Sequence, residues 1–247
     1  MANPECKVPL VGVELMKRKF EQLKPRAFVG PGVNMSTSGS LYRRVLHQDV
    51  RRMKHFYILA DKKEYSIAKI THKILPEYSQ EMNIDFTEVD TADSMYKIFD
   101  DNSFKVRKPY KDSWYVTHRY FNHPIYKYRV YLAGESTAVI GREVKIDNTK
   151  IFRIVDILGD VKAVAGMGKS LRKLIDDNHY EYIDFYELGM DDLILKTAGF
   201  TERLENDENV IPNYFEPYEC RNSEIYVQRL DTDVLCFKGD GDQDRPN

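Results

Sequence analysis

The succession of apolar segments after residue 83 constrains the fold of this chain more than any other feature. Several segments alternate apolar and polar residues or run apolar over strand length, and helical patterns separate the later ones. The predicted strands cover residues 84–89, 126–132, 137–145, 150–158, 180–188, 225–229 and 234–238. Helices are predicted at 91–99, from about 160 to 178, and at 191–198. Antiparallel strands that lead into alternating helices and strands predict the α/β class, with a mixed sheet flanked by helices.

The residues before this region predict a smaller N-terminal α/β lobe. A helix is expected at 15–23, a Gly- and Ser-rich loop at 29–40 and a short apolar strand at 55–59. Pro76 and the polar residues after it predict a linker. We therefore expect three parts, namely a lobe at 1–76, a main domain at 84–238 and an acidic tail at 239–247.

The composition excludes several classes of protein. Hydrophobic residues make up 42% and charged residues 31% of the chain, which excludes collagen-like and disordered sequences. Apolar runs are too short to span a bilayer, and the first residues do not have the pattern of a secretory signal. Cys6, Cys220 and Cys236 are scattered and form no CxxC pair, so neither a disulfide framework nor a cysteine metal site is expected. A cytoplasmic location is the simplest expectation.

The charges are unevenly distributed, although the formal net charge is only −2. Residues 105–129 carry seven Lys or Arg against one Asp and are rich in aromatic residues, whereas the last third is strongly acidic. A basic and aromatic stretch can hold a nucleotide, because cations bind phosphates and rings stack on bases. It can equally be a strand pair with a solvated basic face. The acidic last third argues against nucleic acid as a partner.

Residues 163–170, Ala-Val-Ala-Gly-Met-Gly-Lys-Ser, admit three interpretations. A relaxed P-loop would need a strand that runs directly into it, but the strand-like sequence stops at Leu158. A second possibility is an anion cradle at a helix start. In the third, the segment lies inside one continuous helix capped by Asp160, and small residues serve packing. The apolar face of that helix would comprise Val161, Val164, Gly168, Leu171, Leu174 and Ile175.

The order of elements from 84 to 238 resembles the GNAT superfamily of acyl-CoA-dependent N-acyltransferases. The most specific features are Gly166-Met167-Gly168 beyond a strand and the ending Lys196-Thr197-Ala198-Gly199-Phe200. The resemblance implies a GNAT-like mixed sheet, acetyl-CoA or another acyl-CoA as co-substrate, and no metal. By position, the residues facing the CoA pyrophosphate would be Gly166, Gly168, Lys169 and Ser170. The N-terminal lobe would be a partial GNAT-like half.

Two positions differ from the pattern of that superfamily. Ala163 stands where an Arg or Gln is usual, and Leu195 stands where a helix tyrosine often serves as general acid. Both differences favour a non-catalytic GNAT-like module over a transferase.

Two acidic residues lie inside apolar strands. Asp156 and Asp184 are costly there unless they are paired or hydrogen-bonded. The resemblance implies that their strands are adjacent, parallel and splayed around the reacting thioester. Asp156 would then be the general base, with Asp184 as a reserve, and Tyr186 could protonate the leaving thiolate. Glu187 and Tyr182 are further candidates for the same two roles. Alternatively, both aspartates bond only to backbone N–H groups or buried tyrosines.

Three residues are candidates for holding the acceptor. The resemblance implies that the region before the first long hairpin forms the acceptor side, where Arg119 and His123 could bind a phosphate or carboxylate. The alternative is a helical turn that packs its aromatic residues on the core. Tyr214 lies in a proline-bounded aromatic stretch, 211–218, which is either an ordered loop near the site or a surface loop. Residues 240–247 have alternating acids but lack the spacing of a calcium loop, which favours a solvated tail.

The glycine ending, the 211–218 stretch and the acidic end together resemble GNAT-related proteins of surface-polysaccharide biosynthesis. This resemblance implies acyl transfer to a nucleotide-linked amino sugar. The rival hypothesis is a non-catalytic GNAT-like module that binds a nucleotide sugar or a partner enzyme. A homodimer is compatible with either, and no membrane insertion is expected.

Overall fold

A computed structural model describes residues 10–100 and 102–241 of the chain. The predictions on Cys6 and on most of the acidic tail, residues 242–247, lie outside the described residues. Within them, no helix is both long and apolar enough to cross a membrane.

The main sheet is mixed and has eight strands. Its bounds are β3 (Lys54–Leu59), β4 (Phe86–Val89), β5 (Arg129–Ala133), β6 (Thr137–Ile146), β7 (Thr149–Gly159), β8 (Tyr180–Leu188), β9 (Thr201–Arg203) and β11 (Cys236–Phe237). The strand order is β4-β5-β6-β7-β8-β3-β9, with β11 paired to β8. Only β7 and β8 are parallel, whereas the other neighbours are antiparallel. The predicted α/β class with a mixed sheet is confirmed.

Helices cover both faces of this sheet. They are α3 (Ala92–Tyr96), α4 (Ser113–Val116), α5 (Gly168–Asn178) and α6 (Asp192–Thr197). The sheet has a hydrophobic core on each face, and alternate residues of β5 point into different cores. Tyr131 packs with α5 and α6 on one face, whereas Val130 packs with α3 and α4 on the other. The Thr91 side chain caps α3 by accepting from the Ser94 N–H at 3.1 Å. Gly199 follows α6 with a φ of 84°, as expected where a helix ends.

The N-terminal residues form a second small sheet but also contribute to the main one. The elements of this region are α1 (Val11–Leu23), β1 (Val29–Pro31), α2 (Gly39–Arg44), β2 (Asp49–Arg52) and β10 (Tyr226–Arg229). The three strands form the small sheet in the order β1-β10-β2. Strand β3, which belongs to the predicted lobe, lies between β8 and β9 in the main sheet. The lobe thus gives one strand to the large sheet, and the division at residue 76 stays a prediction about domains.

Strands β7 and β8 diverge near their C-terminal ends. Their pairing runs from Lys150 and Tyr180 only as far as Ile154 and Phe185. The register of β6 and β7 shifts between Ile140 and Gly141, which pair with Asp156 and Ile154. The extra residue, Val155, is a bulge on β7 immediately after its last residue paired with β8. Beyond this point β8 pairs with β11, which continues into a short 3₁₀ helix, Lys238–Asp240. Residues 236–240, here called the C-terminal insert, therefore lie where β7 and β8 separate.

Candidate functional site

Asp156 lies at the divergence of β7 and β8 and is completely buried. The Lys111 ammonium donates to its two carboxylate oxygens at 2.7 and 2.6 Å, and the Tyr120 hydroxyl donates to one of them. The backbone N–H of Ile157 adds a bond of 2.9 Å. Both oxygens thus have partners, as in the structural alternative to a general base. The role of Asp156 in catalysis stays a prediction.

Lys111 joins Asp156 to a second buried carboxylate, Asp240 of the C-terminal insert. The Lys111 Nζ to Asp240 Oδ1 distance is 2.9 Å, and Asp240 also accepts from the Phe237 N–H at 2.7 Å. Burial alone would lower the pKa of Lys111, but the two carboxylates raise it above its usual value. Burial raises the pKa of Asp240, opposed by Lys111. A charged ammonium therefore holds two buried acids together.

Asp184 belongs to a separate buried cluster on β8. The Arg153 guanidinium donates to its carboxylate at 2.6 and 2.9 Å, and His55 Nε2 lies 3.2 Å from it. Burial opposes ionisation of Asp184, yet the charge of Arg153 holds its pKa well below the usual range. Burial lowers the pKa of His55 to about 4, and its Nδ1 accepts from Arg203 Nε at 3.0 Å. His55 is therefore neutral and donates to Asp184 through Nε2.

The other predicted groups of β8 are also enclosed. Tyr186 stacks on His55 with ring centroids 3.9 Å apart and donates to the Ser223 carbonyl at 3.1 Å. Burial raises the pKa of Tyr186 and of Tyr182, so both keep their protons near neutral pH. Burial also raises the pKa of Glu187 to about 7, and its carboxylate accepts from the Met190 N–H at 2.8 Å.

The glycine segment consists of two helices. A 3₁₀ helix covers Val161–Gly166, with the Asp160 side chain accepting from the Lys162 N–H at 3.0 Å, and α5 begins at Gly168. The interpretation as one continuous helix is therefore wrong, because a 3₁₀ helix ends at Gly166 and a separate α-helix begins at Gly168, with Met167 between them. Its apolar face is nevertheless largely buried, as predicted, at Val164, Gly168, Leu171, Leu174 and Ile175.

Residues 78–84 lie directly on these glycines. A Cβ at Gly168 would come within 2.3 Å of the Tyr78 Cβ, and a Cβ at Gly166 within 3.0 Å of the Ile84 side chain. The Ile84 N–H donates to the Gly166 carbonyl at 2.9 Å, and the Ser170 hydroxyl donates to the Ile84 carbonyl at 2.8 Å. Lys169, in contrast, is exposed. A pyrophosphate would need the space that Tyr78 and Ile84 occupy, so this segment does not fit the CoA diphosphate.

We expect Gly168→Ala to lower the free energy of unfolding by about 1–3 kcal/mol, because the new methyl group overlaps Tyr78. In a Tyr78→Gly background the same change should cost less than about 0.5 kcal/mol, since the overlapping atoms are gone. Urea unfolding of the four proteins measures the difference. Additive effects of the two substitutions would contradict this packing.

The C-terminal insert fills the remaining part of the predicted cofactor cleft. Phe237 and Lys238 are completely buried, and a Cβ at Gly239 would lie 2.5 Å from the Tyr120 hydroxyl and 3.0 Å from the Val155 carbonyl. The Lys238 ammonium donates to the Asn213 side chain and lies 4.9 Å from the centroid of the Tyr186 ring. The insert thus touches both buried clusters. The space for a pantetheine arm and thioester is taken by protein, so acyl-CoA does not fit this conformation.

The predicted acceptor residues are dispersed around this region. Arg119 is buried, lies 5.3 Å from the Tyr120 ring centroid and donates to the Gly241 carbonyl at 3.2 Å. His123 Nδ1 accepts the backbone N–H groups of Ile125 and Tyr126 at 3.2 and 3.0 Å. Tyr214 follows the Arg153-bound carbonyl of Asn213, and its ring lies 5.4 Å from the Arg221 guanidinium. Arg119 thus neighbours the Asp156 cluster, and Tyr214 follows a residue of the Asp184 cluster.

The sequence analysis did not identify several residues of the two buried clusters. Arg153 had the same signal as Asp156, a charge inside an apolar strand, and Lys111 was only one cation among many in the basic stretch. The solvated tail was predicted at 240–247, whereas the Asp240 side chain is only 3% exposed. The prediction is wrong at Asp240, because its carboxylate pairs with the buried Lys111 ammonium. Among the residues that the structure describes, no group of three potential metal ligands occurs.

Comparison with known proteins gives only distant structural similarity. No family model and no curated protein matches the chain. The chain is similar to a GCN5-related N-acetyltransferase from Anabaena variabilis ATCC 29413, with 13% identity, a TM-score of 0.45, and coverage of 91% of this chain and 52% of that one. It is also similar to a conserved protein of unknown function and probable N-acyltransferase from Enterococcus faecalis V583, with 11% identity and a TM-score of 0.47.

A third similar structure is a functionally unknown conserved protein from Staphylococcus epidermidis ATCC 12228, with 10% identity and a TM-score of 0.46. The coverages are 94% of this chain and 53% of the E. faecalis protein, and 91% of this chain and 80% of the S. epidermidis protein. This chain therefore spans about half the length of the first structure. Two of these three structures carry names that refer to N-acyl transfer.

Proposed function

We propose that this chain is a non-catalytic GNAT-like module that binds a nucleotide sugar or a partner enzyme of surface-polysaccharide biosynthesis. The observation that carries the proposal is the C-terminal insert, which occupies the space between β7 and β8. The residues at 78–84 that cover Gly166 and Gly168 support it independently.

The cost of opening this cleft decides between a binding module and an enzyme. Exposing Phe237 costs about 2–3 kcal/mol. Opening also exposes Lys238 and separates Asp240 from Lys111, and the loss of these buried bonds adds to the cost. An opening cost of about 5 kcal/mol or more leaves roughly one molecule in several thousand open. A ligand that binds the open form at about 1 µM would then show an apparent Kd of several millimolar.

The two positions that differ from the GNAT pattern agree with this proposal. Leu195 is completely buried in the main core, so it supplies neither a proton nor a cleft-facing hydroxyl. Ala163 packs against the same core and brings no cation to a diphosphate.

Acyl-CoA-dependent N-acyl transfer to an amino sugar is the second candidate function. The bulge at Val155 of β7 and the divergence of β7 from β8 favour it, because they make the kind of opening in which a thioester could lie. This function requires the C-terminal insert to leave the cleft.

Calorimetric titration of the full chain with acetyl-CoA separates the two candidates. We expect no binding tighter than about 1 mM, because the cleft is filled. A nucleotide sugar such as a UDP-sugar serves as the parallel ligand. Micromolar binding of acetyl-CoA would overturn the proposal and establish the second candidate as the one to pursue with an acceptor screen.

A further inference from the structure

A groove of about 400 Å³ lies between β5 and the C-terminal half of α5. Tyr131 and Leu174, which line it, pack in the core under α5, whereas Asp156 bonds to Tyr120 of the core on the other face. The groove is therefore on the opposite face of the sheet from the Asp156 cluster. Its volume is within the range of small-ligand sites, about 300–1,000 Å³.

Within residues 10–100 and 102–241, the Tyr131 hydroxyl, like side-chain atoms of Gln48, Thr201, Ser223 and Gln228, is buried without a hydrogen-bond partner, and of these residues only Tyr131 lines the groove. Tyr131 is 4% exposed, and its hydroxyl has no hydrogen-bond partner in the described part of the chain. Its ring is fixed between Phe86 and Phe152, at centroid distances of 5.5 and 5.9 Å. Burial raises its pKa, so the hydroxyl remains a neutral donor and acceptor. An unpaired buried hydroxyl costs free energy, which a hydrogen-bonding ligand in the groove would recover.

The rim of the groove carries charges that are already paired. Arg129 donates to both carboxylate oxygens of Glu88 at 2.6 and 2.7 Å, and also to Asn178 and Tyr180 at 2.9 and 2.8 Å. These four bonds fix the guanidinium in place beside the groove. Across the groove, α5 carries a second pair, in which Lys173 lies 2.6 Å from Asp177. The rim thus offers fixed donors and acceptors close together.

The net charge of the groove restricts its ligand. Asp85 is exposed and adds one acid to the two ion pairs, so the lining is negative overall. A negative lining disfavours a phosphate and favours a neutral or cationic ligand. The apolar part of the floor, from Phe86, Tyr131 and Leu174, suits the C–H face of a sugar ring, whose hydroxyl groups match the polar rim.

We propose that this groove binds a phosphate-free neutral or amino sugar, with the Tyr131 hydroxyl as one hydrogen-bond partner. This site is additional to the one in the proposed function, because its negative lining disfavours the diphosphate of a nucleotide sugar. The hydroxyl oxygen is itself buried, so a sugar in the groove would contact it only after side chains of the lining move.

Saturation-transfer NMR on the full chain tests this site with glucosamine, N-acetylglucosamine and glucosamine 1-phosphate. We expect millimolar binding of the first two sugars and weaker binding of the phosphate, because the lining repels it. Tyr131→Phe should weaken binding at least about fivefold without lowering resistance to urea, since it removes an unpaired hydroxyl. Tyr42→Phe, on α2 and outside the groove, is the matched control and should change neither property.

A second variant tests the site without changing a buried residue. Asp85→Asn removes an exposed charge at the rim and should weaken glucosamine binding about twofold while N-acetylglucosamine binding stays the same. Absence of saturation transfer at about 10 mM sugar, equal binding by Tyr131→Phe, or tighter binding of the phosphate would each overturn the site. Failure here is distinguishable from failure of the proposed function, which the acetyl-CoA titration tests separately.

Discussion

Replacing Lys111 by methionine should lower the free energy of unfolding by about 3–5 kcal/mol. The change leaves Asp156 and Asp240 buried and close together without the ammonium that now bridges them. Methionine keeps most of the side-chain volume, so the loss reports the charge and its hydrogen bonds rather than a cavity. Tyr120 and the Ile157 N–H still bond to Asp156, but neither supplies a positive charge.

Urea unfolding followed by circular dichroism near pH 7 measures this loss. Lys173→Met is the matched control, because Lys173 forms an exposed i,i+4 pair with Asp177 and should cost less than about 0.5 kcal/mol. Adding Asp240→Asn to Lys111→Met should recover part of the stability, since one of the two unpaired acids is removed. A loss below about 1 kcal/mol for Lys111→Met would contradict the role of Lys111 as a buried counterion.

Phe237→Ala should also destabilise the protein by about 3–5 kcal/mol, because a large aromatic residue leaves a cavity between β7 and β8. Phe237 is completely buried, and its ring centroid lies 5.3 Å from that of Phe185 and 5.2 Å from the Arg107 guanidinium. The variant should not gain acetyl-CoA binding, because the links of Asp240 to Lys111 and of Lys238 to Asn213 still hold the insert.

Two measurements on the same variant check this expectation. Urea unfolding gives the stability, with the exposed Leu193→Ala as a control that should change it by less than about 0.5 kcal/mol. Calorimetry with acetyl-CoA gives the binding. If Phe237→Ala is too unstable to purify, Phe237→Leu leaves a smaller cavity and serves the same purpose. Acquired acetyl-CoA binding would contradict the proposed function and support the second candidate, in which the insert is displaced.

Strand positions could be predicted from the sequence because burial imposes a local pattern. The strand expected at 180–188 is β8 at the same bounds, and the one expected at 150–158 extends by one residue at each end. The strands expected at 126–132 and 137–145 correspond to β5 and β6, which pair with each other. Helix α3 is shorter than the predicted 91–99, since it ends at Tyr96. Each of these elements is formed by residues close together in sequence, so the spacing of apolar residues is enough to predict it.

The arrangement around the candidate site could not be predicted, because its partners are distant in sequence. Lys111 and Asp156 are 45 residues apart, and no periodic pattern links them. The acceptor and cofactor roles suggested for Gly166, Lys169, Arg119, His123 and Tyr214 came from a resemblance. That resemblance carries no information on which chain segments cover a cleft, and here residues 78–84 and 236–240 do so.

The place of β3 in the sheet has a consequence for biosynthesis. His55 on β3 bonds to Asp184 on β8, 129 residues later in the chain. At translation rates of about 5–20 residues per second, the ribosome needs roughly 6–26 s to supply that partner. During this time the buried apolar residues of β3 have no sheet to join, so the nascent chain presents a segment that chaperones bind. A fragment ending at residue 76 would keep that segment exposed permanently and should aggregate.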